Sequence, residues 1–141
     1  YGAYHLLWNS PLGTNEIVAS IISFILIIAL FVGLDLLFSS RAAMMHIGAA
    51  FCTIMIANVW MTILLAQRKM IASVVNNEPP NMSLATKAKR CSKHNTYMSV
   101  PLILIMISSN FPVTTYGNTH NWIILGGFIL FGWLAAKWMR G

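Results

Sequence analysis

Charged side chains are scarce in this sequence. They make up 9% of 141 residues, and only three of them are acidic: Glu16, Asp35 and Glu78. A soluble domain carries about 25% charged residues, so the composition excludes an ordinary soluble globular domain. With 57% hydrophobic residues it is the composition of a membrane protein. Cysteine is nearly as rare. Cys52 lies inside an apolar run and Cys91 in a basic one, a pairing that argues against a disulfide, and no Cys-x-x-Cys-His haem attachment sequence is present. No cleavable signal is visible in these 141 residues, and there is no repeat at a solenoid period and no low-complexity tract. The net charge of +6 therefore points away from nucleic acid and toward membrane topology and anionic lipid. The length is that of one domain. Because the first residue is Tyr1 rather than Met, the chain is expected to be processed or to belong to a longer polypeptide.

Long apolar runs dominate what is there. The expected fold is an all-α membrane protein, a single transmembrane domain over 1–141 with four transmembrane helices in an antiparallel bundle. The helices are expected at about 15–38, 42–66 extending to 75, 83–110 and 120–138. The first of these, from Asn15 to about Phe38, is almost wholly apolar and long enough to cross a core of about 30 Å at 1.5 Å per residue. Asn15 serves as an N-cap with Glu16 in the first turn, and Asn76 to Asn81, with Pro79 and Pro80, stop the second helix. Pro101 falls within the third helix, where neighbouring helices can satisfy the freed carbonyl. Before the first span, Tyr1, Tyr4, His5 and Trp8 read as an interfacial segment, closed by a break at Pro11 and Gly13.

Eight of the nine basic residues lie in the 67–93 connector or at the C-terminal end, and only Arg41 lies on the other side. The positive-inside rule then places both termini in the cytoplasm and the short turns outside. It also separates the histidines. Paired imidazoles on neighbouring helices would suggest haem b, but His46 lies about 22 residues, roughly 33 Å, above Arg68, whereas His94 opens the third span beside the basic connector. They cannot share one iron.

Two polar groupings result. The outer one holds Asp35, Arg41, His46, Tyr116, His120, Asn121 and Trp122; the inner one holds Glu16, Gln67, Arg68, Lys93, His94, Asn95 and Tyr97, with Asn58 deeper. Polar residues at helix ends are routinely interfacial. Asp35, His46 and Asn58 sit within apolar spans, where a polar side chain is a functional candidate by default. His46, Ala50, Thr53, Ala57 and Trp60 recur on one helical stripe, which would place His46 at the head of a packed seam. His94, Tyr97, Pro101 and Ile105 share a face of the third span, with Tyr97 a candidate to hold His94 in place. The methionines are scattered filler and form no metal-binding set.

The order of several motifs is informative. His46-Ile47-Gly48-Ala49, Ile56-Ala57-Asn58-Val59-Trp60 and Gln67-Arg68-Lys69 are followed by Ala88-Lys89-Arg90-Cys91-Ser92-Lys93-His94-Asn95-Thr96-Tyr97 through Pro101, and then by Ile107-Ser108-Ser109-Asn110-Phe111-Pro112. Together with Leu7-Trp8-Asn9-Ser10-Pro11-Leu12 and Asn121-Trp122, this order resembles the membrane domain of the bacterial cytochrome c-linked urate oxidases, or urate hydroxylases. The likeness covers nearly the whole chain. It implies a multi-pass protein of the bacterial inner (cytoplasmic) membrane that oxidises urate and passes electrons to cytochrome c. The chain reads as the later half of that membrane domain, without the cytochrome c domain. No cofactor is expected within it, haem c residing on a separate or missing domain.

Urate is a planar monoanion, so its site would combine a cation, an amide for the ring edge and a group that moves protons. The outer grouping offers Arg41, Asn121, His46 and Asp35; the inner grouping offers Lys93, Asn95 and His94. The candidate catalytic residues are His46, His94 and Asp35, and the candidate substrate-binding residues are Arg41, Asn58, Asn95, Tyr97, His120 and Asn121. Expected partners are the lipid bilayer, other membrane helices or subunits, and cytochrome c. A non-catalytic four-helix accessory subunit of a respiratory or photosynthetic complex is the alternative. A haem b or quinone carrier would require His46 to pair with His120.

Overall fold

The computed structural model describes residues 1–10, 15–108, 110–113, 115–117 and 119–141, and these are helical apart from turns and short connections. The expected break at Pro11 and Gly13, and Ser109 of the 107–112 motif, lie outside the described residues. A short helix, α1 (Gly2–Asn9), precedes α2 (Glu16–Leu37), α3 (Ser40–Asn58), a π-helical turn (Val59–Ile63), α4 (Leu64–Val75), α5 (Met82–Ser108) and α6 (Asn121–Arg140).

Local chemistry sets the helix ends. The Asn15 side chain accepts hydrogen bonds from the backbone amides of Ile17 and Val18 at 3.2 and 3.5 Å, with Glu16 in the first turn. Ser39 caps α3 through the amide of Ala42 at 3.4 Å. Between α4 and α5 the chain turns at Asn77, whose φ of 56° is one that asparagine tolerates. Lys137 and Arg140 sit in the last turn of α6, facing the negative end of its dipole.

Among the described residues three helices are long and apolar enough to cross a membrane: Glu16–Leu37, the continuous helix Ser40–Val75, and Asn121–Arg140. In α2 only Ala19 and Phe31 are buried, while Ile17, Ile21, Ile25, Leu26, Leu30, Leu36 and Leu37 are exposed. A helix that is hydrophobic all round but mostly uncovered by protein has lipid as its natural solvent. The expected third span, 83–110, coincides with α5, which is not among the three. Its apolar run begins only after Tyr97, because the Ser92–Thr96 stretch is polar.

The core joins α2, α3, α5 and α6 through Phe31, Met44, Ile47, Phe51, Ile105, Leu125 and Ile129. Pro101 faces α6, where a Cβ on Gly132 would lie 2.6 Å from Pro101 Cδ and 2.8 Å from its nitrogen. Only glycine admits the proline ring this close. Beyond α5, the Thr115 hydroxyl donates to the Ser108 and Phe111 carbonyls at 3.0 and 2.6 Å, satisfying groups at the helix end.

The seam of α3 differs from the one expected. Met44, Ile47, Gly48, Phe51 and Asn58 are buried, whereas His46, Thr53 and Trp60 are exposed. The stripe beginning at His46 repeats at helical spacing, but so does its neighbour. Close approach of α5 selects the neighbour, since a Cβ on Gly48 would touch Leu102 at 3.4 Å.

Candidate functional site

His94 sits in the polar first half of α5, on the face that also buries Ala88, Cys91, Pro101 and Ile105. Its Nδ1 lies 2.7 Å from the hydroxyl of Tyr4, a residue of α1 ninety positions away. Trp8, one turn further along α1, places its ring 4.1 Å from the imidazole between centroids. Tyr4 also meets the imidazole edge-on at 5.9 Å. Tyr4 and Trp8 share one face because they are four residues apart in a helix. That spacing was the available signal in what reads as a merely interfacial segment. It is Tyr4, not Tyr97, that holds the histidine; Tyr97 lies half-buried one turn further on.

Behind Tyr4 stands Asn58, 1% exposed at the end of α3. Its Nδ2 donates to the Tyr4 hydroxyl at 3.1 Å and to Asn95 Oδ1 at 2.9 Å. Asn95 in turn donates to the Met55 carbonyl at 3.1 Å. The π-helical turn begins immediately after Asn58, so α3 changes its helical pitch where it presents this amide. The network has one consistent direction. Asn58 donates to the Tyr4 oxygen, which leaves the hydroxyl hydrogen for His94 Nδ1. In that arrangement Nδ1 is the acceptor. Burial pushes the Tyr4 phenol up to about 12, partly offset by the Asn58 hydrogen bond.

Two cavities meet at this histidine. A polar one of about 10 Å³, room for one water, is bordered by Tyr4, Trp8, Asn58, Lys87, Arg90 and His94. A larger one of about 280 Å³ lies beneath α1, among α2, α3, α5 and α6. Cations surround the first. Arg90 donates to Asn9 Oδ1 at 3.2 Å, tying α1 to α5, and Lys93 pairs with Glu16 at the start of α2. At the same end Arg140 donates to Thr96 at 3.3 Å, so α1 and the end of α6 lie together beside the basic part of α5.

The opposite end holds the second grouping. Asn121 Nδ2 reaches both Asp35 carboxylate oxygens at 3.3 Å and Ser40 Oγ at 2.9 Å. Arg41 lies over the Tyr116 ring at 5.9 Å. His46 is exposed; its Nδ1 donates to the Ala42 carbonyl at 2.7 Å, and its ring stacks on Phe38. His120 is exposed beside Thr119 at 3.1 Å. The structure thus joins His94, Asn58 and Asn95 at one end and Asp35 with Asn121 at the other. His46 and Arg41 each have their own neighbours. Cys52 and Cys91 are free thiols. Among the described residues no group of three or more His, Cys, Asp or Glu side chains is placed to hold a metal ion.

Among the described residues these features define an all-helical protein with three helices long and apolar enough to span a membrane and a partly buried tyrosine–histidine–amide network at one end. The family model described as "Urate oxidase N-terminal" matches residues 1–140, and the chain belongs to that family. No curated protein and no solved structure shows significant similarity to it.

Proposed function

We propose that the chain is the membrane-embedded part of a urate-oxidising redox protein. In this reading α2, α3, α5 and α6 form an antiparallel four-helix transmembrane bundle in a bacterial inner membrane. Electrons leave to cytochrome c, with a haem c domain outside this chain as the electron carrier. The observation that carries the reading is the hydrogen-bonded Tyr4–His94 pair, its histidine buried, in a chain matched by the urate oxidase family model over residues 1–140.

Two-electron oxidation of urate releases protons, and a site for it needs a group to receive them. A substrate proton arriving at the Tyr4 oxygen can be taken up as the hydroxyl hydrogen moves across 2.7 Å to His94 Nδ1. The phenol's high pKa opposes free ionisation, so the two transfers are concerted. Asn58 and Asn95 position the pair, since their donors are committed within the network. Lys87 and Arg90 border the small cavity and favour an anion on that side. A purine is far larger than one water, so it reaches Tyr4 when α1 lifts away from Arg90. Asp35, Asn121 and Ser40 satisfy one another at the far end, which favours the His94 end as the site of chemistry.

The test is urate turnover in membranes carrying the full-length protein, with cytochrome c reduction followed in parallel. Stoichiometric urate loss and cytochrome reduction are expected. Absence of urate loss with any acceptor would overturn the proposal.

A further inference from the structure

One helical hairpin outreaches the rest of the fold. The continuous helix from Ser40 to Val75 has 36 residues, about 54 Å at 1.5 Å per residue, against about 33 Å for the 22 residues of α2. The two are level at the Ser40 end, where Asn121 joins Asp35 to Ser40. The excess therefore lies at the other end. There Glu16, which opens α2, pairs with Lys93, and Arg140, which closes α6, reaches Thr96. Residues 82–92 of α5 run on beyond both. So does α4, because Asn58 already stands level with Asn95. Ile71 lies roughly 20 Å beyond Asn58 along the helix.

The projecting part of α4 has two unlike sides. Ala66 is buried and Met70 and Ser73 are half-buried, on the side that packs against α5. Arg68, Ile71, Val74 and Val75 lie on the opposite side of the helix. Ile71, Val74 and Val75 are 64%, 62% and 74% exposed. Three branched apolar side chains on one uncovered stripe, rimmed by charge, mark a contact surface. The rim is basic. Residues 64–92 hold Arg68, Lys69, Lys87, Lys89 and Arg90 against the single acid Glu78. None of these five cations is paired with a carboxylate among the described residues.

Geometry and charge together decide what covers the stripe. With α2 and α6 spanning the bilayer, hydrocarbon ends near Glu16 and Arg140, about 15 Å short of Ile71. Headgroup charge is screened over about 8 Å, so an anionic lipid surface is too far away as well. A second copy of the hairpin would set cation against cation. An acidic protein with an apolar groove fits both features, since side chains at i, i+3 and i+4 are the anchors by which a helix enters such a groove. We propose that the α4–α5 hairpin is the docking site of a separate acidic protein. Its groove takes Ile71, Val74 and Val75, and its carboxylates meet Arg68, Lys69, Lys87 and Lys89. This rests on the membrane placement proposed for α2 and α6 but on no part of the urate chemistry.

The experiment is photo-crosslinking of the full-length protein in its native membranes, with benzoylphenylalanine replacing Val74 or, for comparison, Leu26 on the exposed side of α2. The probe at Val74 is expected to give adducts with one acidic protein, and the probe at Leu26 adducts with lipid alone. The partner, identified by mass spectrometry and purified, is then titrated against the full-length protein in phosphatidylcholine nanodiscs. Its affinity is expected to fall about tenfold for Ile71→Ser with Val74→Ser, and about tenfold for Lys87→Glu with Lys89→Glu. It is also expected to fall between about 50 and 300 mM salt, a series on the parent protein that needs no variant to fold. Affinity indifferent to the charge reversals or to salt would overturn the proposal. Adducts from Val74 with lipid, with a second copy, within the same polypeptide, or none at all would overturn it too. If the Leu26 probe still finds lipid, that failure is of the docking site alone; if it does not, the membrane placement fails and takes the docking site with it.

Discussion

Gly132 and Pro101 are in contact across the α5–α6 interface so closely that a single added methyl group on Gly132 would lie 2.6 Å from the proline ring. The nearest atoms include the proline nitrogen, which is backbone and cannot rotate away. A proline in the middle of a helix loses a hydrogen bond and bends the chain. Here the proline ring packs against the neighbouring helix, whose glycine is what lets the backbones meet. Two features that each look like helix breakers in the sequence are one packing device in the fold.

Gly132→Ala is therefore expected to destabilise the bundle by about 1–3 kcal/mol, the usual cost of overpacking. Gly127→Ala is the matched comparison, because nothing lies within 4 Å of its added methyl. It is expected to be neutral or to stabilise by up to about 1 kcal/mol through helix propensity. Unfolding midpoints of the two variants in the same detergent measure the difference.

Asn58→Leu removes the amide that donates to both Tyr4 and Asn95. Each partner is left short of a hydrogen bond in a partly buried place, at a cost of about 0.5–1.5 kcal/mol per bond. Thr53→Ala, on the exposed side of the same helix, is expected to change stability by no more than about 0.5 kcal/mol. Thermal unfolding of the two variants against the parent checks this.

The helices were legible in the sequence because apolar length and capping residues determine them locally. Asn15, Ser39 and the asparagine-rich turn at 76–81 act within a few residues of themselves. The polar ends were legible too, since Asp35, Asn58 and His94 interrupt apolar or basic stretches. What the sequence could not supply was the choice between stripes. His46 and Met44 lie on helical repeats of equal regularity, and only the approach of α5 over Gly48 determines which one is covered. The partner of His94 was hidden for the same reason. Tyr4 is ninety residues away, on a helix of eight residues whose aromatics serve equally well as interfacial anchors.

The Tyr4 phenol gives the network a titration signature. Its pKa lies at about 12 against an ordinary 10.0, so the folded state favours the protonated phenol. The associated stability is complete below pH 10 and is lost as pH rises from 10 through 12. Ultraviolet titration is expected to show a late tyrosine ionisation that is absent in Tyr4→Phe. The difference in unfolding midpoint between parent and Tyr4→Phe is expected to shrink over the same interval.

The tie between Arg90 and Asn9 predicts a kinetic effect. Asn9→Ala removes the hydrogen bond that holds the end of α1 to α5. The contact is exposed, so stability is expected to change by less than about 1 kcal/mol. If α1 must lift to admit a purine, Asn9→Ala raises the rate of urate association, measured by stopped-flow mixing, while Tyr4→Phe abolishes turnover without that increase.

The central claim is that protons from urate are taken up at the Tyr4–His94 pair and not at His46. It is tested most directly by the urate-dependent rate of cytochrome c reduction in membranes carrying the full-length protein, with His94→Gln and His46→Gln at matched expression. The account predicts a loss of about 10²–10⁴-fold for His94→Gln, the usual contribution of a positioned proton acceptor, and a rate within twofold of the parent for His46→Gln, as befits an exposed ring stacked on Phe38. A His94→Gln protein that turns over at the parent rate, or a His46→Gln protein that does not, would contradict it.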